Sequence, residues 1–138
     1  MLTKWEVQSL VFEWFRELTM KSHVDTLLSM LSSDALEMKF PEETLTNYDD
    51  FKKWYHTVTH QFFNQVHDIK LIEIEFSQDQ AEVNLIVHWE NDTWQPPAAV
   101  SKHEAFDIYQ TWVVKRDTNS GKPVIATYEV GAFKPATG

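Results

Sequence analysis

The hydrophobic period of the sequence changes near Val66. Before this residue, apolar side chains recur every three or four positions, whereas after it they alternate with polar ones. The first spacing is typical of amphipathic helices and the second of half-buried strands. The sequence therefore predicts an α+β protein in which an N-terminal helical half precedes a sheet.

The N-terminal half is predicted to hold three helices and one short strand. Apolar residues follow one side of a helix over residues 3–20. Ser22 and Asp25 have the spacing of a capping box for a second helix, and Asn47 is a good N-cap for a third. Between them, the segment ALEMKFP alternates apolar and charged residues and stops at proline, which indicates a strand.

The C-terminal half contains four strand-like runs, at 67–77, 80–91, 103–117 and 123–134. The short turns SQDQ and TNSGK separate neighbouring runs, which favours antiparallel pairing. A longer loop contains Pro-Pro, which cannot lie in a central strand. Several runs carry apolar groups on both faces, so we expect one face to pack on the helices and the other to contact a second subunit.

Composition excludes several classes of protein. The 138 residues suit one domain over 1–138, and no apolar run reaches the roughly 18 residues of a membrane span. The N-terminus lacks the pattern of a signal peptide, and the absence of cysteine removes disulfides and thiolate chemistry. We therefore expect a cytoplasmic protein. The net charge of −9, without a basic stripe, argues against a nucleic-acid partner.

Three segments resemble the nuclear transport factor 2-like superfamily, which includes ketosteroid isomerases, scytalone dehydratases and SnoaL-like cyclases. They are VDTLLSMLSSDALEMKFPEE, NYDDFKKWYHTV and YQTWVVKRDTNSGKPVIATYEV. The resemblance covers nearly the whole chain. It implies a cystatin-like cone, in which a curved antiparallel sheet wraps around three N-terminal helices and encloses an apolar pocket, and it implies no cofactor.

The catalytic groups of ketosteroid isomerases do not carry over to this sequence. Their three positions are occupied here by Trp14, Phe40 and Gln110. Phe40 cannot take a proton, and the amide of Gln110 can form hydrogen bonds but cannot act as a base. The acidic residue of the cyclases also falls near Gln110. The resemblance therefore argues against steroid isomerisation and against SnoaL-type cyclisation.

The same resemblance places aromatic and neutral polar side chains inside the cone. An aromatic pocket of this kind suits a flat or apolar small molecule held by stacking and one or two polar contacts. The alternative is that the aromatic rings fill the core and leave no pocket. The predicted ligand-binding residues are Trp14, Tyr55, Trp89, Gln110, Trp112 and Tyr128.

Two histidines are candidates for a catalytic base, with Tyr55 or Tyr128 as hydrogen-bond donor. His88 precedes Trp89, so strict alternation directs it to the outer face of the sheet unless a bulge intervenes. His67 begins a strand and lies either near the mouth of the cone or in a turn. Asp107 and Glu129 are predicted to face outward by the same alternation.

His56 and His60 have the spacing of a metal-binding pair on a helix. Phe51, Trp54 and Tyr55 set the apolar side of that helix, and both histidines fall on the opposite side. We therefore interpret the pair as solvated and predict no metal site.

The leading hypothesis is a SnoaL-like protein that binds an apolar or aromatic small molecule and forms a homodimer through the outer sheet face. The first alternative is a lyase, cyclase or isomerase that acts on a polyketide-like or terpenoid compound. The second is a dimeric partner-binding module without enzymatic activity. Neither nucleic acid nor membrane is expected as a partner.

Overall fold

A computed structural model describes residues 2–95 and 98–136. The predicted Pro-Pro loop falls partly outside these residues. The helices are α1 (Lys4–Thr19), α2 (Val24–Leu28) and α3 (Tyr48–Gln61). The strands are β1 (Glu37–Lys39), β2 (Thr44–Leu45), β3 (Phe63–Ser77), β4 (Gln80–Thr93), β5 (Lys102–Arg116) and β6 (Pro123–Pro135).

Side-chain caps determine where the helices begin. Thr3 and Glu6 form a reciprocal capping box at the start of α1. Asn47 caps α3 as predicted, with its side-chain oxygen 2.8 Å from the backbone nitrogen of Asp50. The predicted cap of α2 is wrong. His23 takes that position, and the hydroxyl of Ser22 instead donates to the carboxylate of Glu17.

In the described residues, the strands form one open sheet in the order β2-β1-β6-β5-β4-β3. Strands β3 to β6 pair antiparallel, as the short turns predict. The predicted antiparallel sheet is confirmed for these four long strands, and at one side of it β1 pairs with β6 in parallel. The two-residue strand β2, which the sequence did not predict, pairs with β1. The sheet is therefore mixed.

The concave face of the sheet packs on α1 and α3. Trp14, Phe51 and Trp112 are fully buried in this layer, and the rings of Trp14 and Trp112 meet edge to face at 6.3 Å. In β4, every second residue from Ala81 to Val87 is buried. The core is thus built from helices on one side and the inner face of the sheet on the other.

An irregularity in β6 changes which residues face inward. Gln110 pairs with Val130, whereas Ile108 pairs with Phe133, so β6 contains one extra residue between these pairs. An extra residue reverses the alternation of the strand that contains it. Both Val130 and Phe133 consequently lie on the concave side of the sheet, in the lining of the same cavity.

Candidate functional site

A cavity of about 760 Å³ opens between α3 and the concave face of the sheet. The size is within the range of small-molecule sites, and most of the lining is apolar. Two of its rings, Phe40 and Trp54, stack at 4.6 Å. The aromatic side chains in the lining are Phe15, Phe40, Trp54, Tyr55, Phe62, Trp89, Tyr128 and Phe133.

Four of the six predicted ligand-binding residues line the cavity, namely Tyr55, Trp89, Gln110 and Tyr128. The other two, Trp14 and Trp112, are fully buried and are not in the lining. Their rings pack against Tyr128 at 5.8 and 5.0 Å. They support the lining from behind, so core filling and an open cavity coexist in this cone.

Gln110 and Tyr128 form the polar part of the cavity floor. The side-chain oxygen of Gln110 accepts a hydrogen bond from the indole nitrogen of Trp112 at 3.0 Å. Burial raises the pKa of the Tyr128 hydroxyl, and the nearby donors of Trp14 and Gln110 oppose this only in part. Tyr128 therefore keeps its proton and serves as a neutral hydroxyl.

The hydroxyl of Tyr55 is directed away from the cavity. It donates to the backbone carbonyl of Ser22 at 2.5 Å and so links α3 to the residues after α1. The ring of Tyr55 can contact a ligand, but its hydroxyl proton is already donated to the Ser22 carbonyl. Of the two tyrosines predicted as donors, Tyr128 is therefore the one suited to that role.

Gln65 and Trp89 form a second amide–indole pair near the rim. The indole nitrogen of Trp89 donates to the side-chain oxygen of Gln65 at 3.0 Å. Gln65 is not among the residues predicted from the sequence to bind a ligand. Its position two residues before His67 in an alternating strand is a signal that could have placed it on the cavity side.

His67 lies in the cavity wall, within β3 rather than in a turn. Its Nδ1 atom is 2.9 Å from the hydroxyl oxygen of Thr19, and that hydroxyl is also 2.9 Å from the carbonyl of Phe15. A hydroxyl has one proton, and the Phe15 carbonyl can only accept it. Thr19 therefore accepts from Nδ1–H, which leaves Nε2 of His67 as the unprotonated nitrogen.

Burial lowers the pKa of His67 to about 4 from an ordinary value of 6.5. The imidazole is consequently neutral at physiological pH, and its Nε2 lone pair is available at all pH values above about 4. A neutral imidazole can accept a hydrogen bond or a proton, although its lowered pKa makes it a weaker base than an ordinary histidine.

His88 lies on the outer face, as alternation predicts, and does not contact the cavity. Its Nδ1 is 2.9 Å from Asp107 and its Nε2 is 2.8 Å from Glu90. Lys70 bonds the same aspartate, at 2.8 Å. His103 extends the network, because it bridges Glu90 and Asp92. His88 is thus part of an ion-pair network on the convex side.

Both ring nitrogens of His88 and of His103 contact carboxylates. Ionised carboxylates only accept hydrogen bonds, so each ring must carry two protons to satisfy both contacts. The hydrogen bonds that both rings donate to these carboxylates accordingly raise the pKa of both histidines. Glu129 also faces outward, within 4.0 Å of Lys39.

His56 and His60 are exposed on α3, as the helical phase predicts. Their rings lie 4.2 Å apart, and Nδ1 of His60 contacts the carbonyl of His56 at 2.7 Å. Within residues 2–95 and 98–136, no group of three or more potential ligands is arranged to hold a metal ion. In the same residues, no helix is long and apolar enough to cross a membrane.

No family model matches the sequence. Nor does it match any curated protein. Similarity appears in solved structures. A protein from Novosphingobium aromaticivorans, proposed to be a scytalone dehydratase, is 18% identical, with a TM-score of 0.77 over 96% of this chain and 87% of its own. Hexachlorocyclohexane dehydrochlorinase type 3 from Novosphingobium barchaimii is 14% identical, with a TM-score of 0.77 over 96% and 89%.

A nuclear transport factor 2-like protein from Salmonella enterica serovar Typhimurium gives a TM-score of 0.71 at 14% identity, over 98% of this chain and 93% of its own. A protein of unknown function with a cystatin-like fold, from Nostoc punctiforme, gives a TM-score of 0.71. These similarities identify the fold. The chain has the cystatin-like, nuclear transport factor 2-like fold that its sequence resembles.

Proposed function

We propose that the protein binds a flat, apolar or aromatic small molecule in the cavity between α3 and the concave sheet face. The observation that carries the proposal is the cavity of about 760 Å³ with its aromatic lining. Apolar burial and ring stacking supply the affinity, and the few polar groups orient the ligand.

Equilibrium dialysis with fluorene, a flat tricyclic hydrocarbon, tests this proposal. We expect saturable binding and chemical-shift changes at the Trp89 and Tyr128 rings. Val130→Trp should abolish binding, because Val130 lines the cavity and a larger ring there fills it. Glu129→Trp adds the same ring to the exposed opposite side of β6 and should leave binding unchanged. Equal binding by both variants would contradict a site inside the cone.

A second candidate function is proton abstraction by His67, as in a lyase, cyclase or isomerase acting on a polyketide-like or terpenoid compound. The observation that favours it is the His67–Thr19 contact, which leaves Nε2 unprotonated in the cavity wall. The donor in such a reaction would be Tyr128, since the Tyr55 hydroxyl is bound to Ser22.

Hydrogen–deuterium exchange at the carbon beside the carbonyl of 2-tetralone measures this chemistry directly. We expect exchange faster than in buffer, with saturation in ketone, and loss of the acceleration in His67→Gln. Binding of fluorene by His67→Gln would show that the cavity is intact. Acceleration that persists in this variant would remove His67 from the mechanism.

We also propose a homodimer formed through the outer face of the sheet. Leu71, Ile86, Tyr109 and Val113 place apolar groups there, and Leu71 and Tyr109 are 40% and 38% exposed in the single chain. Light scattering should give twice the mass of one chain, and Tyr109→Glu should give the monomer mass. A monomeric wild-type protein at micromolar concentration would contradict the proposal.

A further inference from the structure

The floor of the cavity holds more hydrogen-bond donors than acceptors. It consists of Gln110 and Tyr128, which line the cavity, and of Trp14, which lies behind Tyr128. We call these three residues the donor floor. Gln110 is 7% exposed and Tyr128 4%, so water has little access to them. The balance of donors and acceptors here constrains what a ligand must offer.

The orientation of the Gln110 amide follows from its partner. The indole nitrogen of Trp112 is a donor only, so the amide atom that it contacts at 3.0 Å must be the oxygen. The amide nitrogen, with two protons, is therefore the end of Gln110 that remains for other partners. One of these protons is shared with the Tyr128 hydroxyl oxygen, whose pKa this hydrogen bond lowers, and the second proton remains for a ligand.

Tyr128 and Trp14 add two more donors. The indole nitrogen of Trp14 is fully buried and lies near the Tyr128 hydroxyl oxygen, whose pKa it lowers, but the two atoms form no hydrogen bond of regular geometry. The Tyr128 hydroxyl, which stays protonated, donates to no described residue. Buried donors without partners are rare because they cost the free energy of their lost hydration. An acceptor brought into the cavity would relieve that cost at Tyr128 and Gln110.

We propose that the ligand carries a neutral carbonyl oxygen on a flat apolar body, and that this oxygen accepts hydrogen bonds from the Gln110 amide and the Tyr128 hydroxyl. This inference rests on the proposed binding function and assigns the chemical class of the ligand. A carbonyl oxygen has two lone pairs and no proton, so it complements two converging donors, whereas a hydrocarbon leaves both of them unpaired.

The charges around the cavity select a neutral ligand over an anion. Among the described residues that line the cavity, Lys53 carries a positive charge, whereas Glu42 and Glu43 carry negative charges. His67 is neutral at physiological pH. With a net charge of −9 on the whole chain, a carboxylate would enter against the field of the protein. A ketone or quinone is neutral, so it does not meet this electrostatic repulsion.

Three probes of one tricyclic skeleton separate these properties. Fluorene has no acceptor, 9-fluorenone replaces one CH₂ by a carbonyl, and fluorene-9-carboxylate carries an anion. Equilibrium dialysis at pH 7 should show fluorenone binding about tenfold or more tightly than fluorene, in keeping with two buried donors gaining a partner. The carboxylate should bind more weakly than fluorenone. The carbonyl stretch of bound fluorenone should shift to lower wavenumber.

Two variants test the assigned donors. Tyr128→Phe removes one hydroxyl, and Gln110→Met removes the amide at nearly constant volume. Each should reduce the ratio of fluorenone to fluorene affinity and diminish the infrared shift. The matched control is Gln80→Met, because Gln80 is an exposed residue at the start of β4 and does not line the cavity. It should affect both probes alike and leave their ratio unchanged.

The outcomes distinguish this inference from the function on which it rests. Equal affinity for fluorene and fluorenone would overturn the carbonyl assignment and leave the binding function intact. Tighter binding of the carboxylate would overturn the choice of a neutral ligand. A ratio unchanged in both Tyr128→Phe and Gln110→Met would overturn the donor floor. Failure of all three probes to bind would overturn both the function and the inference.

Discussion

The Nδ1 atom of His67 lies 2.9 Å from the hydroxyl oxygen of Thr19, and His67 separates two concave regions of the protein. The first is the aromatic cavity. The second is a groove of about 570 Å³ between α1 and β3, lined in part by Phe12 and Met20. His67 and Phe15 line both regions. One hydrogen bond thus fixes the tautomer of a ring that forms part of the cavity wall.

The first prediction concerns that tautomer. Nitrogen-15 NMR should show His67 protonated at Nδ1 and unprotonated at Nε2 at pH 7, with titration near pH 4. In Thr19→Val the Nδ1 partner is lost, so the Nε2–H tautomer should gain population. The pKa should remain low in this variant, because burial and not Thr19 is its cause. A wild-type ring protonated at Nε2 would contradict the assignment.

The second prediction links His67 to stability. Its folded pKa of about 4 lies below the ordinary 6.5, so between these values the unfolded chain binds more protons. The contribution of His67 to the free energy of unfolding should therefore fall as pH decreases from 6.5 to 4 and level off below. The loss is roughly 3 kcal/mol at most. Urea unfolding of wild type and His67→Gln checks this, and parallel pH profiles for the two would contradict it.

The third prediction concerns the network on the outer face. Hydrogen bonds that His88 donates to Asp107 and Glu90 raise its pKa. Its contribution to stability is therefore present below the ordinary pKa and lost as pH rises through the raised pKa. NMR titration should place the pKa of His88 above 6.5. Asp107→Asn should lower it, whereas Asp79→Asn, in the distant β3–β4 turn, should not. Equal effects of the two substitutions would contradict the role of Asp107.

The fourth prediction compares two tryptophans on α1. Trp14 is fully buried and contacts Phe51, Trp112 and Tyr128, so Trp14→Ala should reduce the free energy of unfolding by about 3–5 kcal/mol. Trp5 is 75% exposed, and Trp5→Ala should change it by less than about 0.5 kcal/mol. Denaturant unfolding measures both, and similar losses would contradict the assigned burial.

The hydrophobic period was sufficient to predict the direction of side chains in the helices and strands that bury one face. The alternation of β4 correctly predicted that Trp89 lines the cavity and that His88 faces outward. The phase of α3 correctly placed Tyr55 inward and His56 outward. These predictions succeed because side-chain direction repeats every 2 residues in a strand and about every 3.6 in a helix.

Local patterns failed where a side chain had a competing partner outside the pattern, where the strand was very short, or where pairing was long-range. Ser22 fits a capping box, yet the carboxylate of Glu17 takes its hydroxyl and His23 caps α2 instead. The pairing of β1 with β6 joins segments about 90 residues apart, which no local pattern reports. The extra residue in β6 that turns Phe133 inward is likewise visible only in the strand register.

The sequence alone determined the order of the helices and of every strand except β2, and the apolar face of the long elements up to the irregularity in β6, because these depend on the spacing of neighbouring residues. Only the tertiary structure decided the roles of the polar groups. His67 is neutral because the surrounding protein excludes water from it, and its free nitrogen is set by Thr19, 48 positions away. Gln110 offers donors because Trp112 occupies its oxygen. Hydrogen-bond geometry and burial depend on contacts in space, and so they emerge only once the chain is folded.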